Sequence, residues 1–106
     1  KRLGFERKDM DVYSKVTIPF TTAVLGGEAV VQTLTGRVVC KINPGTQSGT
    51  KIRLKGKGIV SMKDAGRYGD QYVTVQIDVP KNLSNEAKRK LKEFEAACRN
   101  GSRGAA

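Results

Sequence analysis

Four cations at steps of two, Lys51, Arg53, Lys55 and Lys57, form a cationic stripe. A strand sends successive side chains to opposite faces, so Lys51, Arg53 and Lys55 share one face while Ile52 and Leu54 share the other. Such a stripe can neutralise phosphates or carboxylates. No catalytic set accompanies it. The 106 residues contain no His to act as a general base. Cys40 lies among apolar strand neighbours, which raise a thiol pKa, and Lys41 points away from it. Ser48 stands in Gln47-Ser48-Gly49-Thr50, not in a G-x-S-x-G turn, and Gly56-Lys57-Gly58 lacks the spacing of a phosphate-binding loop. Asp9 and Asp11 are isolated, and Cys40 and Cys98 are too far apart to make a zinc site without His. These residues point away from an enzyme and from a metal or other cofactor in this stretch.

The stripe is preceded by Pro44-Gly45-Thr46-Gln47-Ser48-Gly49, which is turn chemistry: Pro44 presets φ, and both glycines accept positive φ. Upstream, Asp11 to Pro19 reads as a strand with Val12, Ser14, Val16 and Ile18 on one face, ended by Pro19. Phe20 to Leu25, closed by Gly26-Gly27, predicts a short helical insert with Phe20, Ala23 and Val24 tucked under a sheet. Ala29–Leu34 and Arg37–Asn43 predict a hairpin around Thr35-Gly36 with a primed turn. With the Lys51–Lys55 strand, this predicts a three-stranded meander. Residues 58–69 read as a long flexible loop. Asp70 to Val79 alternates cleanly, with Val73, Val75, Ile77 and Val79 on one face. Ser84 is the best-placed helix cap, and Ala87, Leu91, Phe94 and Cys98 form one helical stripe opposite Lys88, Arg89, Lys90 and Lys92. Residues 1–10 show little pattern beyond a Phe5 anchor.

The fold class expected is therefore mainly β, a small two-layer β-sandwich-like domain with a short helical insert and a C-terminal α-helix. Its divisions are a β-domain over 1–83, the helix over 84–100 and a disordered tail over 101–106. One domain suits this length, which buries roughly two thirds of the unfolded surface. The chain starts without Met and in mid-pattern, which predicts a piece of a longer protein. Two unpaired cysteines predict a reducing compartment. No apolar run reaches the ~20 residues of a membrane span.

A net charge of +10 favours anionic partners, and RNA or single-stranded nucleic acid is one reading. It is placed second, because no aromatic residue alternates with the stripe to stack bases, and an exposed Lys/Arg face also protects a sheet edge. Peptide binding by strand addition is another reading, although periodicity alone prefers core packing for the valines that would serve it. Val12, Val31 and Val39 do not all fit one side of a sheet, so some valine surface is left over.

Several blocks in order also resemble the C-terminal substrate-binding region of DnaJ-type J-domain co-chaperones, and specifically its second β-domain. Phe5-Glu6-Arg7 matches F-x-R, Asp11-Val12 the D-L/D-V start, and Ala23 to Glu28 the A-x-L-G-G-E segment. Thr33-Leu34-Thr35-Gly36 matches T-L-D-G with Thr35 for Asp, and Ile42 to Thr50 matches I-P-P-G-T-Q-S-G-T with Asn43 for the first Pro. Arg53 to Gly58 and Gly69 to Val73 match the R-L-K-G-K-G and G-D-L-Y-V blocks, and Pro80, Leu83 and the closing helix follow. The likeness runs from Phe5 to about Phe94. It implies a co-chaperone stretch that holds unfolded polypeptide clients for transfer to a DnaK-type chaperone, with homodimer contact at the C-terminal end. It implies a role in protein folding under stress, in the cytoplasm or, as the alternative, a mitochondrion or plastid. The J-domain, the Gly/Phe linker and the zinc-binding cysteine-rich region have no counterpart here, so no ATPase stimulation and no cofactor is expected of this stretch. Val12, Val31 and Leu34 are the candidate peptide-binding residues, chosen by face and exposure.

Overall fold

The computed structural model describes residues 4–105. Its elements are β1 (Glu6–Lys8), β2 (Asp11–Pro19), α1 (Phe20–Leu25), β3 (Gly27–Thr33), β4 (Gly36–Ile42), β5 (Lys51–Leu54), β6 (Gln71–Asp78) and α2 (Asn85–Ala105). The expected class is the observed one: mainly β, with two layers and two helices. Sheet A has the order β1-β2-β6-β5, and sheet B is the β3-β4 hairpin.

The centre of sheet A is a parallel pair, β2 with β6, registered from Val12↔Gln71 to Pro19↔Asp78. Parallel neighbours need a long crossover, and here α1, the hairpin and β5 all lie between them. β1 and β5 flank the pair in antiparallel sense. Inward-facing valines drive the packing. Ile18, Ala23, Ala29, Ile42 and Val75 form one buried cluster, and Val31, Cys40 and Val73 a second. Each fully buried Val or Ile contributes roughly 1.5–3 kcal/mol. Val73 and Val75 are completely enclosed, whereas Val79, expected on the same face, lies past the strand end and is exposed.

The meander is corrected. β5 does not pair with β4; it crosses to sheet A and pairs with β6. The Pro44–Gly49 turn is held at both ends by other elements. Gly45 N and Thr46 N donate to Ala23 O of α1 at 2.8 and 2.9 Å, and Gly49 N donates to Val75 O of β6 at 2.8 Å. The hairpin turn also moves by one residue, to Leu34-Thr35, with Thr33 opposite Gly36. Neither Leu34 nor Thr35 has positive φ, so the expected primed turn does not form; the positive φ falls on Gly36, at 136°. The buried Thr33 hydroxyl closes the turn, donating to Gly36 O at 2.6 Å and accepting from Thr35 N at 3.2 Å.

Residues 58–69 are anchored at their base. Ile59 N donates to Met10 O at 2.7 Å, Gly58 N to Gly69 O at 2.9 Å and Gly69 N to Ile59 O at 3.0 Å. A Cβ on Gly69 would sit 2.2 Å from Met10 O, and one on Gly58 2.4 Å from it. Only glycine lets these three backbones meet. The β1 strand, absent from the sequence reading, ends in the same place: its turn to β2, with Asp9 at φ 56°, presents the Met10 carbonyl.

Ser84 caps α2 as expected: its Oγ accepts from Ala87 N at 3.0 Å, and its carbonyl from Lys88 N at 3.0 Å. The helix continues to Ala105, beyond the expected end near 100. It lies away from the β-layers, and the radius of gyration is 18.3 Å against about 13 Å for a compact chain of this size. Its described aromatic contact is with α1, the edge-to-face pair Phe20–Phe94, centroids 6.5 Å apart.

Candidate peptide-binding seam

A sheet strand with a neighbour on one side only carries a row of unpaired backbone groups on the other. β4 and β5 both have this property. Their side chains meet at one place. Val38 of β4 and Ile52 and Leu54 of β5 are half-buried and pack on the same enclosed cluster of Val31, Cys40 and Val73. The result is a seam between the layers floored by apolar side chains, to which β4 and β5, each with an unpaired edge, both contribute. An extended peptide can pair with an edge through its backbone and drop alternate side chains onto the seam.

The structure separates the three residues chosen from sequence. Val12 and Val31 are each 2% exposed and belong to the interior. Val31 belongs to the cluster under the seam, Val12 does not, and neither offers a ligand a surface of its own. Leu34 is half-buried in the hairpin turn, away from the strand face it was assigned. The reading missed Val38, Ile52 and Leu54. The period-two pattern of β5 did mark Ile52 and Leu54 as apolar-facing, but nothing local marks a side chain as half-covered. On the opposite side of the hairpin, Val30 and Val39 form an exposed cross-strand pair.

The seam is stiffened by polar contacts. Gln71, fully buried at the start of β6, donates through Nε2 to Ser14 Oγ at 2.9 Å and to Gln32 O of β3 at 3.0 Å, tying sheet A to the hairpin. Its Oε1 has no partner among the described residues. At the end of β5, Asp70 receives Gly56 N on Oδ1 at 2.9 Å and Arg53 Nε on Oδ2 at 2.8 Å, while its own N–H donates to Asp11 Oδ1 at 2.7 Å. The Gly56 N–H, then the Arg53 guanidinium, hold the Asp70 carboxyl below its ordinary value of 3.8 against the opposing effect of burial.

No chemistry of bond-making accompanies this geometry. Burial pushes the Cys40 thiol up, away from nucleophilic use. Cys98 is exposed on α2, and the two thiols are unbonded. Among the described residues no three His, Cys, Asp or Glu side chains gather to hold a metal, and no helix is long and apolar enough to cross a membrane.

A second apolar surface runs along α2. A depression of about 450 Å³ is lined by Lys88, Leu91, Lys92, Phe94, Glu95 and Cys98, with Leu91 and Phe94 each 43% exposed. On the wet side Arg89 pairs with Glu93 at 3.0 Å and Arg99 with Glu95 at 3.4 Å, contacts worth a few tenths of a kcal/mol.

Comparison with known proteins identifies relatives. The family model described as the DnaJ C terminal domain matches residues 1–80. Proteins named Chaperone protein DnaJ are similar throughout. That of Lachnospira eligens is 46% identical over 93 residues, covering 88% of this chain and 25% of the relative. That of Dichelobacter nodosus is 48% identical over 97 residues, covering 92% and 26%, and that of a Geobacillus strain 46% over 91 residues, covering 86% and 24%. The chain spans about a quarter of the length of the curated relatives it matches.

Proposed function

The chain belongs to the DnaJ C-terminal domain family, and on that premise we propose that it is a non-enzymatic chaperone module that holds non-native polypeptide at the β4–β5 seam. The observation carrying this reading is that two strands with unpaired edges, β4 and β5, send half-buried Val38, Ile52 and Leu54 onto one apolar cluster. Unfolded chains expose backbone donors and apolar side chains together, and the seam takes both. Holding a client this way needs no cofactor and no proton transfer. In the longer protein the client passes to a DnaK-type chaperone. The bacterial relatives support a cytoplasmic setting. Val31 acts as part of the floor beneath the client, Val12 supports the sheet from the interior, and Leu34 lies at the hairpin end of the layer.

We also propose that the Leu91–Phe94 side of α2 is the contact of a homodimer. Most of a helix's stability in a protein comes from packing its amphipathic face, and this one leaves its stripe largely uncovered. Sedimentation equilibrium tests this: Phe94→Glu is expected to lower the mass average, and an unchanged monomeric mass in both forms removes the contact.

The client reading is tested by titrating a labelled apolar heptapeptide. Leu54→Ser and Val38→Ser are expected to weaken it about three- to tenfold, the share of a side-chain transfer energy left for a ligand to bury. Undiminished binding by both variants, with loss on Phe94→Glu, would move the client to α2 and overturn the seam.

A further inference from the structure

The outer face of sheet A, opposite the seam, has a composition that client holding does not use. Outward positions align in rows across the strands. In one row Tyr13 of β2 sits beside Tyr72 of β6, and Tyr72 beside Arg53 of β5. The two tyrosine rings stack, with centroids 5.3 Å apart and planes 19° from parallel. In the next row Lys15, Thr74 and Lys51 lie side by side, with no carboxylate among them. Lys55 extends the cationic rim past the end of β5, and Arg53 is held upright there by Asp70. Among the described residues Lys15, Lys51 and Lys55 have no ion-pair partner.

We propose that this face binds single-stranded nucleic acid, with the sugar-phosphate backbone along the β5 rim and bases resting on the Tyr72–Tyr13 ledge. The sequence argument against nucleic acid was that no aromatic alternates with the basic stripe. Along the chain no aromatic residues adjoin the stripe. The sheet supplies them across it: β6 puts Tyr72 next to Arg53, and the parallel β2 puts Tyr13 next to Tyr72. On this face β5 carries cations alone, whereas β1 carries Glu6 as well as Lys8, which favours the β5 rim for a polyanion. An acidic peptide would satisfy the lysines but leave the ring ledge without a partner. A base offers a planar surface to the rings and a phosphate to the rim in one repeating unit, with stacking that is indifferent to sequence. A duplex hides its base faces and is disfavoured. The net charge of +10 adds a general attraction that speeds encounter.

The test is fluorescence anisotropy of a labelled 12-nucleotide oligouridylate with the 106-residue chain. Neutralising three phosphates gives a salt slope of about −2, so affinity falls roughly twentyfold between 50 and 200 mM KCl. Lys51→Gln and Lys55→Gln, both at exposed positions on the β5 rim, should each flatten the slope by about 0.7. Tyr13→Leu and Tyr72→Leu keep the volume of an apolar side chain and should each weaken binding about tenfold. Thermal melts of every variant separate lost contact from lost fold, and the two lysine variants remain informative if a tyrosine variant melts early. The proposal is overturned by absence of binding at 50 mM KCl or by tighter binding of a duplex. It is equally overturned if a polyglutamate peptide of equal charge binds as well and the tyrosine variants bind normally, since that is the signature of an acidic protein partner. The heptapeptide titration at the seam is a separate readout, so either site can fail alone.

Discussion

Gly69→Ala is expected to be among the most damaging single-methyl additions in this chain. The new Cβ would lie 2.2 Å from Met10 O and 2.8 Å from Asp11 Oδ1. An ordinary carbon–oxygen contact is about 3.3 Å or more. The β1–β2 turn and the base of the 58–69 segment must therefore separate by about 1 Å. That movement breaks Ile59 N to Met10 O and strains Asp70 N to Asp11 Oδ1, both 2.7 Å long. Two such bonds are worth about 1 kcal/mol each, and overpacking adds 1–3 kcal/mol. A loss of at least about 3 kcal/mol lowers the melting temperature of a domain this size by roughly 12–24 °C or more. Gly45→Ala is the matched control. Its φ is +81° with no heavy atom within 4 Å of a Cβ, so it meets only the backbone penalty of about 1–2 kcal/mol. Calorimetry on both variants decides the matter. If Gly69→Ala melts no lower than Gly45→Ala, the three backbones do not meet as described and residues 58–69 are a free loop.

Two further outcomes follow from the polar groups. Because the folded Asp70 carboxyl titrates below its ordinary 3.8, its contribution is complete above that value and is lost as pH falls through the lower folded value. Asp70→Asn should therefore lower the melting temperature at pH 6, with the difference from the parent shrinking below about pH 4; a constant difference down to pH 2 contradicts the linkage. With a thiol reagent at pH 8, Cys98 should react at once and Cys40 only on the timescale of opening, since Cys40 is 8% exposed and its pKa is raised by burial. Two equally fast thiols would place Cys40 outside the core.

The elements were legible where the information is local. The alternation of β2 and β6, the Ser84 cap and the α2 stripe are all properties of neighbouring residues, and each stands where it was read. Pairing is not local. β2 and β6 lie 59 residues apart in register, and nothing in either strand names the other as its parallel partner. β1 is three exposed residues, Glu-Arg-Lys, with no apolar face to give it a period. Its existence depends on the β2 edge that it covers. The meander failed for the same reason: the turn before β5 is ordinary turn chemistry, and only its bonds to Ala23 and Val75 show that it changes sheet. The seam was half legible. Facing valines identified an apolar layer, but whether Val31 is covered and Val38 open depends on where the other layer ends. Gln71 breaks the apolar pattern of its face at the point where the family block has Leu, and the structure uses it to bridge the layers.

Strand addition makes a demand that no other mode of client binding makes. The Thr50 carbonyl accepts Val75 N, so alternation along β5 turns the amides of Lys51 and Arg53 away from β6 and onto the free edge. Amide hydrogen exchange, read residue by residue with and without saturating apolar heptapeptide, is the most direct measurement. Lys51 and Arg53 amides should gain protection when the peptide binds, while Ile52, already laddered to β6, changes little. Peptide binding that leaves Lys51 and Arg53 exchanging at their free rates, with protection confined to α2, would contradict the account.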